Sequence, residues 1–339
     1  MRTRKVRVAQ VGISNHGTTI VNAIRATTTL ELVSVCDIKP VESERVSKET
    51  GAKRVNNYDE IINDPSIEAV VLVTPNQIHV EQVLKAAKAK KNVFVEKPIS
   101  RTVPEAKRMI ASMREAGLVL MVGHNTRRRS VFRRAKKILE ERQLGKVVAV
   151  EMNVSRAVGL SNDVPAWKAD PDITALLPMT QLGIHFIDTL HYLLGPVARV
   201  SCLASNIAMS TGATDAAAAV LQLESGVPAT LSSYYVTPDV YYFRIYGTQG
   251  ILHCHPTSLK LELFDHDVAR PAVNEDFASE GSASFTEEME EFGECILTGK
   301  KPETGGDEGL QSLAIIEAMT HSLNTRKVIE LKDILENNT

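Results

Sequence analysis

Short apolar runs alternate with helical segments along the first 126 residues, and this alternation most constrains the fold of the chain. The run 67–74 is almost continuously apolar, as expected for a parallel strand covered on both faces, and Pro75 ends it. Six strands are predicted, and a helix follows each of the first five. Parallel strands joined by helices build a doubly wound sheet. We therefore predict an α/β fold that begins with a Rossmann domain over residues 1–126.

A different pattern begins at Lys146. Contiguous strands separated by short turns follow as far as residue 264, which is typical of an open, mostly antiparallel sheet. We predict that residues 127–339 form a second, α+β domain around this sheet. Long helices at 181–194 and 284–297 should cover one face of the sheet. The other face should pair with a second subunit, giving a homodimer or homotetramer.

The composition argues against several classes of function. The 339 residues are 43% hydrophobic, enough for two cores, and 39 basic and 41 acidic side chains nearly cancel, so neither nucleic acid nor an anionic membrane is indicated as a partner. No stretch approaches the roughly 18 consecutive apolar residues of a membrane span, and the N-terminus lacks the apolar region of a signal peptide. The four cysteines are far apart. We expect a cytoplasmic protein.

A glycine-rich turn follows the first strand and approximates a dinucleotide-binding fingerprint. Its candidate cofactor-binding residues are Gly12, Ser14, Asn15, His16 and Gly17. Serine replaces the second glycine of the fingerprint, and its hydroxyl can donate to a phosphate beside the helix N-terminus. Asp37, at the end of the second strand, can accept from ribose hydroxyls and repel a 2′-phosphate. The position of Asp37 favours a dinucleotide site over a plain strand–turn–helix. Its charge favours NAD over NADP, although Lys39 is nearby and could reverse that preference.

The fourth strand is followed by the candidate cofactor-binding residues Thr74, Pro75, Asn76 and His79. The Asn76 amide can bond a ribose or a carboxamide. A turn with a helix N-cap explains the same segment equally well.

Glu96, Lys97 and Pro98 close the fifth strand, although a core needs neither charge. Ligands of open α/β sheets bind at the carboxyl ends of the strands. A lysine at that edge can be desolvated, and it can then act on a substrate hydroxyl.

The second half carries candidate substrate-binding residues. Gln181, His185 and Asp188 share one helix face and could line a cleft, although a structural histidine is an equally simple explanation. Trp167 and Lys168 pair an apolar plate with a cation, which suits a bound ring or sugar.

Two other clusters resemble a nucleic-acid surface and a metal site. Arg127 belongs to a basic cluster without interleaved aromatic residues, so we expect it to meet an anionic group of substrate or cofactor rather than a nucleic acid. His253 and His255 lie on one strand, but no third ligand is evident, so no metal site is predicted.

The chain resembles the Gfo/Idh/MocA oxidoreductases from Gly12 to about Leu331. The matching motifs are Gly12-x-Ser14-x-x-Gly17, Asp37, Thr74-Pro-Asn-x-x-His79, Glu96-Lys97-Pro98, Val122-Gly-His-Asn125, Gly183-Ile-His185-Phe-Ile-Asp188 and Gly305-x-x-x-Gly309. The resemblance implies a tightly held nicotinamide and a sugar, polyol or dihydrodiol as substrate. It also implies that the bond before Pro98 is often cis.

The same resemblance implies catalytic roles. His185 would accept the hydroxyl proton while Lys97 stabilises charge on the same oxygen, and Glu96 would anchor the lysine or the nicotinamide ribose. Gln181 stands where the family commonly has an aspartate, so it can orient the imidazole but not stabilise imidazolium by charge. A regulator or sensor that binds NAD(P) without turnover therefore stays an alternative, and the direction of the reaction stays open.

Overall fold

The computed structural model describes residues 4–161, 170, 174, 176–265, 268–277 and 281–336. The chain divides into two compact units. The first comprises Met1–Asn125 and Gly281–Leu310, and the second comprises Thr126–Glu280 and Gln311–Thr339. The predicted boundary follows residue 126, while in the structure the first unit ends at Asn125 and also includes residues 281–310.

The first unit contains a six-stranded parallel sheet. Its strands are β1 Val6–Val11, β2 Leu30–Cys36, β3 Lys53–Arg54, β4 Ala69–Leu72, β5 Asn92–Glu96 and β6 Leu120–Gly123. The order is β3-β2-β1-β4-β5-β6, so the direction of winding reverses between β1 and β4. This arrangement confirms the predicted Rossmann sheet, and it fixes the ligand crevice at the carboxyl ends of β1 and β4.

Five helices connect these strands: α1 His16–Ala26, α2 Pro40–Thr50, α3 Tyr58–Asn63, α4 His79–Lys88 and α5 Val103–Glu115. Their apolar stripes explain why they form on the sheet. Ile20 and Ile24, one turn apart on α1, are buried against the strand residues Val8 and Phe94.

The second unit is built on a nine-stranded sheet. Its strands are β7 Val147–Ser155, β8 Val197–Ser205, β9 Ala216–Leu223, β10 Pro228–Tyr234, β11 Val240–Gly247, β12 Gly250–Cys254, β13 Ser258–Asp265, β14 Val268–Asp276 and β15 Ile329–Glu330. The order is β14-β13-β12-β11-β7-β10-β9-β8-β15, and among these neighbours β7 and β10 pair in parallel while the others are antiparallel. The predicted open, mostly antiparallel sheet is confirmed.

Two helices pack on this sheet, α6 Ser130–Glu140 and α7 Ile184–Leu194. An aromatic cluster holds them there. The ring of Phe186 lies 6.2 Å from that of Phe132 and 5.4 Å from that of Phe243, both in edge-to-face contact. The cluster fixes the rotation of α7, and with it the direction of the polar residues beside Phe186.

Three later helices are α8 Ala283–Thr298, α9 Gly306–Thr325 and α10 Leu331–Glu336. The prediction that helix 284–297 covers the C-terminal sheet is wrong, because α8 packs in the first unit: Met289 and Phe292 are buried among residues of α1, β1 and β5. An amphipathic pattern reveals that a helix has a buried face, but not which sheet receives it. Gly309 completes this packing, since a Cβ there would lie 2.8 Å from Val122.

Candidate functional site

The turn between β1 and α1 requires glycine at both of its ends. Gly12 has φ +88°, and a Cβ on it would lie 2.1 Å from the carbonyl oxygen of Val73. A Cβ on Gly17 would lie 2.3 Å from the oxygen of Gly12. These close approaches bring α1 against the end of β1, so that the positive end of the helix dipole faces the ligand crevice.

The Gln10 side chain forms hydrogen bonds with both ends of this turn. The sequence analysis did not identify this residue. The side chain is fully buried, and its Nε2 donates to the oxygens of Gly12, at 2.9 Å, and Gly17, at 2.8 Å. Its position in the middle of the apolar strand β1 could have indicated this contact, because a buried side-chain amide is nearly always hydrogen-bonded.

Asp37 is bonded to the glycine-rich turn. Its Oδ2 accepts from the backbone of Ile13, at 2.6 Å, and from the backbone and hydroxyl of Ser14, at 3.1 and 3.3 Å. Its Oδ1 accepts from the backbone of Lys39 at 2.8 Å. The Ser14 hydroxyl thus meets the Asp37 carboxylate, and its predicted contact with a phosphate stays a prediction. The carboxylate fixes the turn and also presents a negative charge beside it.

Asn15, directly before α1, has φ 51° and ψ −110°, a conformation that is rare for residues other than glycine. Its side chain makes no capping hydrogen bond to the helix. Backbone outliers of this kind persist where the surroundings impose them, often at ligand sites.

Two of the predicted cofactor residues after β4, Thr74 and His79, form hydrogen bonds with other residues of the protein. Thr74 Oγ1 donates to Gln82 at 2.7 Å. His79 is buried, with Nε2 2.9 Å from the Thr74 oxygen and Nδ1 3.2 Å from the oxygens of Pro98 and Ile99. These contacts join the loop after β4 to the loop after β5, and the predicted contact of His79 with a cofactor stays a prediction. Burial lowers the pKa of His79, although the three carbonyl oxygens oppose this effect.

Asn76 is the member of this segment suited to a ligand. The residue is only 8% exposed, and its Oδ1 has no hydrogen-bond partner within the part of the chain that the structure describes. A buried amide oxygen without a donor is costly. A ribose hydroxyl or carboxamide would supply the donor, so the glycine-rich turn, Asp37 and Asn76 together fit a nicotinamide dinucleotide.

Glu96 and Lys97 lie at the carboxyl end of β5, followed by a cis bond between Lys97 and Pro98 as the resemblance implied. Glu96 is buried; its Oε1 lies 3.0 Å from His16 Nε2, and its Oε2 accepts from the Lys97 backbone at 3.2 Å. Burial by itself raises the pKa of Glu96, but the charge and hydrogen bond of His16, with Lys97, outweigh it and lower the pKa. A carboxylate is therefore maintained beside Lys97.

In the second unit, His185 and Gln181 occupy different kinds of helix. His185 is in the first turn of α7, and its Nδ1 lies 3.2 Å from Thr126 Oγ1. Gln181 lies just before it in a π-helical turn, Met179–Gly183. Such turns are rare and are frequent at functional sites. No sequence pattern indicated either the π-helical turn or the contribution of Thr126.

Arg127 and Asp188 form a buried, two-pronged ion pair. The guanidinium Nε and Nη2 donate to the Asp188 oxygens at 2.8 and 2.6 Å, and the side chains are 6% and 1% exposed. Arg127 also stacks over the ring of Tyr192 at 5.3 Å. The fork of Arg127 therefore holds Asp188 on α7, and the substrate-binding role of the two residues stays a prediction.

The remaining predictions concern Trp167 and Lys168, metal binding and membrane spans. Trp167 and Lys168 lie outside the described residues. Across the described ranges, no group of three or more His, Cys, Asp and Glu side chains is arranged to hold a metal ion, and no helix is both long and apolar enough to cross a membrane.

Comparisons with known proteins agree with this geometry. An oxidoreductase family with an NAD-binding Rossmann fold matches residues 6–124, and its C-terminal alpha/beta domain matches residues 136–331. A 1,5-anhydro-D-fructose reductase from Ensifer adhaerens is 26% identical over 92% of this chain and 94% of its own. An inositol 2-dehydrogenase from Rhizobium meliloti is 26% identical over 96% of this chain and 99% of its own.

A solved structure from Desulfitobacterium hafniense, provisionally assigned as an NADPH-dependent oxidoreductase, superposes with a TM-score of 0.92 and 26% identity, covering 98% of this chain and 99% of its own. The cofactor class and the enzyme class predicted from the sequence are confirmed by the family. With a glycine-rich turn, an acidic residue after β2 and both family domains in order, the chain belongs to the Gfo/Idh/MocA oxidoreductase family.

Proposed function

We propose that this protein transfers hydride between a nicotinamide cofactor and a CH–OH carbon of a sugar, polyol or dihydrodiol. The observation that carries the proposal is Lys97, held at the carboxyl end of β5 beside the buried carboxylate of Glu96. The relatives named above act on a sugar derivative and on a polyol, which supports this class of substrate.

The first unit would hold the cofactor. The turn from Gly12 to Gly17 would receive the pyrophosphate, and Asp37 would accept from the adenosine ribose. Asn76 would accept from the nicotinamide half through its Oδ1, which has no hydrogen-bond partner among the described residues. The carboxylate of Asp37 favours NAD, since a 2′-phosphate beside it would be repelled. When bound, the nicotinamide accepts or supplies the hydride.

Lys97 and His185 would handle the proton and the charge at the substrate oxygen. In the oxidative direction His185 accepts the hydroxyl proton as the carbonyl forms, and Lys97 donates a hydrogen bond that stabilises the developing negative charge. Thr126 orients the imidazole of His185 through Nδ1. Gln181 adds no charge, so the imidazolium would depend on Thr126 and its other neighbours for stabilisation. The same groups serve reduction in reverse.

A homodimer or homotetramer through the open sheet is part of the proposal. Leu203 on β8 is 76% exposed and Val220 on β9 is 57% exposed. The register of the two strands places them on one face as diagonal neighbours. A solution mass of twice or four times 37.1 kDa by light scattering would support it, and a mass of 37.1 kDa would refute it.

The test is turnover with a panel of polyols, aldoses and dihydrodiols after cofactor affinity has been measured for NADH and NADPH. Lys97→Met and His185→Asn should each lower kcat/KM roughly a hundredfold or more while NADH affinity stays nearly constant, because general acid–base groups contribute about that much. Matched controls are Lys48→Met and His321→Asn, both at exposed positions.

Unchanged turnover in Lys97→Met would refute the assignment of Lys97. Tight NADH binding without turnover on any member of the panel would favour the sensor alternative, for which the uncharged Gln181 is the specific observation.

A further inference from the structure

His16 connects the glycine-rich turn to the end of β5. It is the first residue of α1, and its Nε2 lies 3.0 Å from Oε1 of Glu96. The imidazole also meets the ring of Phe285 on α8 edge-on, at 5.4 Å between centroids. A side chain of the turn that would receive the pyrophosphate is therefore held against the carboxylate next to Lys97.

The Glu96 carboxylate is confined on several sides. Its other oxygen accepts from the Lys97 backbone at 3.2 Å. Gly123, the residue paired with Glu96 on β6, leaves the space for it, because a Cβ there would lie 2.9 Å from Oε1. At 7% exposure the carboxylate has little water to solvate its charge, so it depends on the donors around it.

We propose that His16 is a positioning residue whose hydrogen bond keeps the Glu96 carboxylate oriented, and thereby links the cofactor turn to the Lys97 segment. The inference rests on the proposed function, since Lys97 is the group that the link serves. Glu96 is close in sequence to Lys97, but His16 reaches it from 80 residues away along the chain. Loss of His16 should loosen cofactor binding and the Glu96–Lys97 segment together.

Electrostatics gives the link a measurable signature. Burial raises the pKa of Glu96 and His16 lowers it, with Lys97 adding a smaller effect. His79 also lies near enough to interact with Glu96 by charge. Buried titratable groups on the neighbouring elements include His124, which follows Gly123, Glu288, one turn after Phe285, and Cys295, further along α8. Substitution of His16 leaves all of these in place.

The test measures NADH binding by fluorescence, without substrate, from acidic to neutral pH. His16→Ala should weaken binding about tenfold at neutral pH, because it removes a hydrogen bond to a charged group, and it should move the acidic loss of binding to higher pH. His16→Gln should retain most of the neutral-pH affinity through its amide donor and show a smaller shift on the acidic side, because it keeps the hydrogen bond to Glu96 but not the charge. In a Glu96→Gln background, His16→Ala should add little. His321→Ala is the matched control.

The proposal is overturned if the acidic limb of binding is the same in the wild type and in both His16 variants, or if His16→Ala weakens binding equally with and without Glu96→Gln. If His16→Ala does not fold, His16→Gln decides by its acidic limb alone. Absence of turnover on every substrate would refute the proposed function but leave this result intact, since binding is measured without substrate.

Discussion

The buried pair of Arg127 and Asp188 gives the sharpest prediction about the second unit. Asp188→Asn keeps the size of the side chain and one acceptor oxygen, but it removes the negative charge that receives both prongs of the guanidinium. Arg127 keeps its own charge, because a guanidinium stays protonated in proteins. The variant therefore leaves a cation buried without this counter-charge.

The loss of stability expected for Asp188→Asn follows from the burial of the ion pair. The two side chains are 6% and 1% exposed, so water cannot replace the lost partner without a change of structure. Removing one member of a buried pair costs about 3–5 kcal/mol, and we expect the lower end, about 3 kcal/mol, because asparagine retains an acceptor. A loss of that size corresponds to a fall in Tm of roughly 6–12 °C for a domain of this class.

The assay is thermal unfolding followed by circular dichroism, with NADH affinity measured in parallel. Asp239→Asn is the matched control, since its pair with Arg156, at 3.4 Å, is 66% and 60% exposed. Exposed pairs contribute about 0–1 kcal/mol, so Tm should change little. NADH affinity should be unchanged in both variants, because the residues assigned to the cofactor lie in the first unit.

The reasoning fails if Asp188→Asn has the same Tm as the control. A raised KM with an unchanged Tm would instead support the substrate-binding role that the sequence predicted for Asp188.

Two further predictions concern the first unit. The pKa of His79 lies below its ordinary value of 6.5, so below that pH the unfolded chain binds more protons than the folded one; the contribution of His79 is present above pH 6.5 and is lost as the pH falls. His79→Gln should flatten the fall in unfolding free energy below that pH, and an equally steep fall in both proteins would contradict it. Gly12→Ala should abolish NADH binding and destabilise the chain by more than Gly51→Ala, because both have positive φ but only the Cβ at residue 12 collides with backbone. Equal losses of stability in the two variants would show that the collision is relieved.

The sequence predicted the elements whose local pattern is sufficient. Strands such as β4 and β5 are apolar throughout because both faces of a parallel sheet are covered, and that pattern appears in any window of the chain. The glycine-rich turn, Asp37 and the Glu96–Lys97 segment follow strand ends, so their location at one edge of the sheet could be derived from the topology. The family motifs then gave the cofactor class and the enzyme class.

Contacts between residues that are far apart in the sequence could not be predicted in this way. Helix α8 has an apolar stripe that fits either sheet, and only packing against α1 assigns it to the first unit. The π-helical turn at Gln181 has no signature in composition or spacing.

The sequence by itself determined the two sheets, their order along the chain, and the family motifs whose residues the proposed function uses. Only the tertiary structure decided what each of those residues meets: Asp37 the turn, Arg127 and Asp188 each other, and His16 the carboxylate of Glu96. The physical reason is the distance along the chain over which each kind of signal acts. Periodicity and turn preferences act over a few residues, whereas a hydrogen bond or ion pair is specified by distance and burial after the chain has folded.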